Sequence, residues 1–167
     1  MPASSLATVL FALCLGCASE SPPAPKAPTD VPIELVLPTV QGPAADLASL
    51  RGNVVLIDVM ATWSVVSQSE VRTFQRLLVA YRERGLRIVS IAMDSQTPQL
   101  VSVWVETLGI VWPMALATPE FIEGRSALGR IPEIPRTMIL DRRGFVRFDR
   151  SGMIDPAELA KVIESML

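Results

Sequence analysis

The chain has 167 residues, half of them hydrophobic and 19% charged, which is enough to bury one core but not two. A net charge of -2 with no block of basic residues lacks the footprint that nucleic acid or an anionic membrane surface would need. Histidine is absent and both cysteines, Cys14 and Cys17, lie at the start, so the body of the chain has neither imidazole nor thiolate for a metal, a haem or a His-dependent hydrolase. No cofactor is expected.

Leu6 to Leu15 form an apolar run of about ten residues, too short to span a bilayer and of the length found in secretory leaders. The run ends in Cys14-Leu-Gly-Cys17, which resembles a bacterial lipobox, whose last cysteine is acylated and becomes the first mature residue. Residues 1–16 are therefore expected to be a lipoprotein-type signal peptide, with lipidation at Cys17 and a place in the cell envelope, facing the periplasm or the exterior. Two features depart from the pattern: residues 1–5 carry no Lys or Arg, and Cys14 stands where Leu is usual. As a redox pair, Cys14 and Cys17 are discounted, because they sit inside the leader and not between a strand and a helix. Residues 17–31 are small and proline-rich and read as an extended tether. Residues 32–167 are left for one domain.

Within it, Asn53 to Met60 is a β-branched run expected to be a strand buried on both faces. Residues 67–84 place Val71, Phe74, Leu77, Leu78 and Tyr81 at helical spacing before Gly85. Ser67-Gln-Ser-Glu70 reads as a capping box for that helix. A second strand is expected over 86–93, a helix over 98–108, a hairpin from 136–140 with 144–148, and a last helix over 155–167 capped by Asp155 with Pro156 at its first position. Pro113 and Pro132 read as loop-shaping residues, and Trp104 and Trp112 as core. The order βαβ, α, ββα specifies an α/β domain with a mixed sheet and helices on its faces.

From about Pro32 onward the chain resembles thioredoxin-like proteins of the TlpA/ResA type, related to the redoxin/AhpC-TSA superfamily. Leu47-Ala-Ser-Leu-Arg-Gly52 is similar to the family's lead-in, Asp58-Val-Met-Ala-Thr-Trp63 to the strand preceding its active site, and Ile134-Pro135-Arg136-Thr137 to the segment with its cis-proline. The resemblance implies the thioredoxin fold: a central mixed β-sheet flanked by helices. Where the family has Trp-Cys-x-x-Cys, this chain has Trp63-Ser64-Val65-Val66-Ser67; Glu70 matches a frequent glutamate and Arg72 replaces a usual proline.

A serine does not inherit the thiol's role. Its alkoxide is far harder to form, and the bases that activate serine elsewhere are missing, since the only lysines are Lys26 in the tether and Lys161 near the end. No catalytic residue is expected. Asp58, matching a buried carboxylate of the family, has no thiol to deprotonate and is expected to be a structural polar group at the strand's end, bonded to water or backbone. Glu70 is likewise structural. Trp63, Ser64, Val65, Val66, Ser67, Ile134 and Pro135 remain as a candidate surface for a polypeptide or an envelope partner protein. The reading is a redox-inactive, membrane-tethered binding module; the alternatives are an oxidoreductase borrowing a partner's cysteines and a purely structural envelope lipoprotein.

Overall fold

The computed structural model describes residues 31–167. The expected signal peptide, Cys17 and nearly all of the tether lie outside the described residues. The chain enters through a two-stranded hairpin, β1 (Val36–Leu37) and β2 (Ala45–Asp46), followed by a 3-10 turn over Ala48–Leu50. Strand β3 (Val54–Met60) leads to helix α1 (Val65–Tyr81), and β4 (Leu86–Ala92) to helix α2 (Pro98–Leu108). Then come β5 (Met114–Leu116), the short α3 (Pro119–Ile122), β6 (Arg136–Leu140), β7 (Val146–Ser151) and α4 (Pro156–Glu164).

All seven residues of β3 are buried because it lies mid-sheet, parallel to β4 and antiparallel to β6, in a five-stranded sheet of order β5-β4-β3-β6-β7. A strand covered on both faces needs an unbroken apolar run, which is how 53–60 reads in the sequence. The two crossovers, β3-α1-β4 and β4-α2-β5, progress in the same direction across the sheet, so right-handed connection places α1 and α2 on one face. Phe74 and Leu77 of α1, Val101 and Trp104 of α2, and Leu159 and Ile163 of α4 pack there against Leu56, Ile88 and Ile139. The opposite face is covered by α3 through Phe121, by the hairpin and by the segment around Leu128.

Several boundaries differ from the sequence reading. Helix α1 begins at Val65, before the apolar stripe, and its last expected turn is a 3-10 turn over Arg82–Arg84. The last strand runs to Ser151. β5 went unread because three residues beside Pro113 carry no period; they add an edge strand by pairing Met114 to Leu116 with Ser90 to Ala92. The hairpin β1–β2 is equally short. Trp104 and Trp112 are buried as expected.

Candidate functional site

The site lies where β3 gives way to α1, at the C-terminal ends of the two central parallel strands. The connecting turn is pinned from several sides. Ser64 N–H donates to the Ala61 carbonyl at 3.1 Å, Thr62 N–H donates to Asp94 Oδ2 at 3.1 Å, the Thr62 hydroxyl donates to the same oxygen, and Gln68 Nε2 donates to the Thr62 carbonyl at 3.1 Å. Rigid placement of this turn fixes the outward course of Trp63.

The helix cap is Ser64. Its backbone is extended (φ -82°, ψ 112°) and its Oγ accepts from Ser67 N–H at 3.2 Å. The capping box expected from Ser67 and Glu70 is therefore not formed. Ser67 lies within the first turn, only 2% exposed, and its hydroxyl and Glu70 Oε2 have no hydrogen-bond partner among the described residues. The physical reason is the three-residue repeat of a helix: Ser64, Ser67 and Glu70 are equally spaced, and the earlier serine caps because the exposed Val65 and Val66 are already helical. Ser64→Ala is expected to lower stability by about 1 kcal/mol, a melting shift of roughly 2–4 °C, whereas Ser67→Ala should change it by less than about 0.5 kcal/mol. Thermal melts of the two variants check this, and a larger loss from Ser67→Ala would refute the assignment.

Beneath the turn lie two buried carboxyl groups. Asp58 is the fifth residue of β3, in register with Ser90 of β4 and Thr137 of β6. It is not at the strand's end, and its partner is neither water nor backbone: Asp58 Oδ2 accepts from the Ser90 hydroxyl at 2.9 Å, and Ser90 Oγ accepts from Trp112 Nε1 at 2.9 Å. Burial pushes the Asp58 carboxyl up to about 7, with the Ser90 hydroxyl opposing and the neighbouring Glu70 adding to the rise. Burial likewise pushes Glu70 up to about 7, opposed by a hydrogen bond from the Ile154 N–H. Asp58 Oδ1 and Thr137 Oγ1 have no partner among the described residues either, so neither carboxyl is hydrogen-bonded to the Ser67 hydroxyl. A nucleophilic serine needs a base in such contact, and the geometry offers none.

Facing the turn is the peptide bond Ile134–Pro135, which is cis. Pro135 is buried and its carbonyl accepts from Gly152 N–H at 2.8 Å; Ile134 is half-buried and makes no backbone hydrogen bond among the described residues. Around this point the surface is apolar: Trp63 is 72% exposed and Val65 77%, with Val66 beside them. Met153, 71% exposed, joins them, held between Gly152 at the Pro135 carbonyl and Ile154 at Glu70. Sequence reading missed Met153. Its only signal was an apolar residue between a glycine and a helix cap, where burial gives no reason for one. Of the expected surface residues, Trp63, Val65, Val66 and Ile134 are gathered with access to solvent, while Ser64, Ser67 and Pro135 form the buried frame behind them.

Comparison with known proteins agrees with this geometry. Residues 28–149 match the AhpC/TSA family. The chain is 25% identical over 111 residues to the thiol-disulfide oxidoreductase ResA of Bacillus anthracis, covering 66% of this chain and 62% of that protein. It is 26% identical over 136 residues to the thiol:disulfide interchange protein DsbE of Allochromatium vinosum, covering 80% of this chain and 72% of the relative. The aligned part thus spans under two thirds of the length of the ResA relatives. The crystal structure of a thiol:disulfide interchange protein of the thioredoxin family from Chlorobium tepidum superimposes with a TM-score of 0.70 at 26% identity, over 89% of this chain and 99% of that one. The sheet order, the strand-to-helix turn, the cis-proline facing it and these matches together make the chain a member of the AhpC/TSA family, a thioredoxin-like protein of the TlpA/ResA type.

Proposed function

We propose that this protein is a redox-inactive thioredoxin-like module that binds an extended polypeptide or a partner protein in the cell envelope, held at the membrane by a lipid on Cys17. The observation that carries the reading is the surface itself. Trp63 and Val65 project from a turn pinned by five hydrogen bonds, beside the unpaired backbone of Ile134, at a place where the thiols are replaced by serines. Large exposed apolar side chains on a rigid frame supply binding energy, and an unpaired backbone segment supplies hydrogen bonds to an extended chain. The serines contribute structure: Ser64 caps the helix that holds the frame in place. The organisation proposed with this reading is a signal peptide over 1–16, a tether over 17–31 and the binding domain over 32–167.

A photo-crosslinking residue at Val65, in the full-length chain in living cells, is expected to trap a defined protein adduct. The same probe at Val79, exposed on the outer face of α1, should not. Trp63→Ala should weaken capture by about tenfold or more, the effect expected of an aromatic anchor. Equal adducts from both positions, or capture indifferent to Trp63, would refute the proposal.

A further inference from the structure

The arginines at the end of the sheet opposite the site come from two separate stretches of sequence and form one surface. Arg82, Arg84 and Arg87 surround the end of α1 and the start of β4; Arg142 and Arg143 belong to the turn between β6 and β7 and Arg147 to the start of β7, and all are exposed. Hydrogen bonds join the groups: Arg142 Nη1 donates to the Gly52 carbonyl at 2.8 Å and Nη2 to the Arg84 carbonyl at 3.2 Å, while Arg87 Nη1 donates to the Arg82 carbonyl at 3.0 Å. Arg143 and Arg147 lie over the Phe145 ring at 4.9 and 5.1 Å, and Arg84 over Tyr81 at 5.4 Å. The acidic groups among them are already engaged: Glu83 with Arg82, Asp141 with Arg147, and Glu164 with the Tyr81 hydroxyl. A chain of net charge -2 thus carries a basic pole that its linear sequence does not display.

The described chain also begins at this pole. Ile33 N–H donates to the Gly144 carbonyl at 2.8 Å, and Arg51 Nη2 donates to the Ile33 carbonyl at 2.8 Å. The thirty residues that precede Val31 therefore join the domain beside the arginines, and the length of β3, roughly 20 Å, separates them from Trp63.

We infer that the basic pole, built around Arg82, Arg84, Arg87, Arg142 and Arg143, docks on the anionic phospholipid headgroups of the membrane that holds the N-terminus, so that the Trp63 surface faces away from the bilayer. The choice of occupant rests on the tether reading above. Charge complementarity and the entry point of the chain agree: a segment anchored in a bilayer brings this pole to it first, and guanidinium groups hold phosphates by paired hydrogen bonds. Docking sets the orientation of the domain on the membrane.

The test uses the full-length chain and vesicles of phosphatidylcholine with or without phosphatidylglycerol, at concentrations where half the protein is bound. Wild type is expected to prefer the anionic vesicles, and to lose the preference at high salt. Arg84→Gln/Arg143→Gln removes two side chains that make only ring contacts, and should cut that preference about 25-fold, given roughly fivefold per surface arginine. Arg72→Gln/Arg76→Gln, the same charge change on the exposed side of α1, should leave it intact. Equal partitioning onto both vesicle types, or equal losses from both double variants, would overturn the proposal. Binding of soluble polyglutamate without any anionic-vesicle preference would also overturn it, by assigning the pole to an acidic protein. Cys17→Ser separates the two readings: a lipid on Cys17 strengthens binding to both vesicle types, so an unchanged affinity would count against the lipid while leaving the headgroup preference to be read independently.

Discussion

Arg136→Ala is expected to destabilise the domain by about 3–5 kcal/mol, a loss of roughly 10 °C or more in melting temperature. Arg136 follows the cis-proline and is 8% exposed; its Nε and Nη2 donate to the two carboxylate oxygens of Asp149 at 2.6 and 2.7 Å, and its Nη1 donates to the Arg130 carbonyl at 3.1 Å. The side chains of the pair are 9% and 5% exposed. Deleting one partner leaves an unsolvated charge with nothing to balance it, which is why the loss exceeds that of a surface pair. The fork ties β6 to β7 and, through Arg130, fixes the segment that delivers Ile134 and Pro135 to the site. Arg136→Met/Asp149→Leu, which removes both charges, should recover much of the loss. Chemical denaturation of the three variants checks this; a double variant as unstable as the single would show that packing, and not the stranded charge, governs the effect.

Stability is also expected to fall as pH rises from about 3 to 7, contrary to the usual behaviour of salt-bridged carboxylates. Asp58 and Glu70 have ordinary values of 3.8 and 4.5 when unfolded and about 7 when buried together. Below about pH 3 both groups are protonated in either state, and the fold carries no penalty. Between about pH 3 and 7 the unfolded chain gains by ionising while the folded chain holds its protons, so stability declines, and above 7 it levels off. For a single group moved from 3.8 to about 7 the full decline is roughly 4 kcal/mol. Asp58→Asn keeps an oxygen for the Ser90 hydroxyl and removes the ionisation, so it should raise stability at pH 8 by about 2 kcal/mol or more and flatten the profile. A flat wild-type profile, or an Asn variant weaker than wild type at pH 8, would contradict this account of the pair. No thiol is present in the body of the chain for the pair to serve, and the cost of burying it falls on the fold.

Much of the architecture was legible because strong periods coincide with central elements. The apolar run of β3 and the helical stripe at Val71, Phe74 and Leu77 could belong only to a buried strand and the helix packed on it. Short elements were not legible: β1, β2 and β5 have two or three residues each, too few to carry a period, and are held by pairing that only the fold supplies. In the site, Trp63, the serine pair and Pro135 could be named from motif order. The roles of the serines could not, since Ser64 and Ser67 both satisfy the spacing of a cap and only the start of α1 decides between them. Asp58 read as a peripheral polar group because sequence does not reveal that Ser90 and Thr137 stand beside it on neighbouring strands. Met153 and the arginine pole share one cause of invisibility: the fold brings their parts beside residues distant in sequence, at one end of the sheet or the other.

The central claim is that this domain keeps the frame of a thiol-disulfide oxidoreductase while lacking its chemistry. The most direct measurement is reduction of insulin disulfides by the wild type beside Ser64→Cys/Ser67→Cys. The account predicts a silent wild type and a double variant that gains reductase activity, because the first position lies at the N-terminus of α1, where exposed N–H groups favour a thiolate. Turnover by the wild type would contradict it.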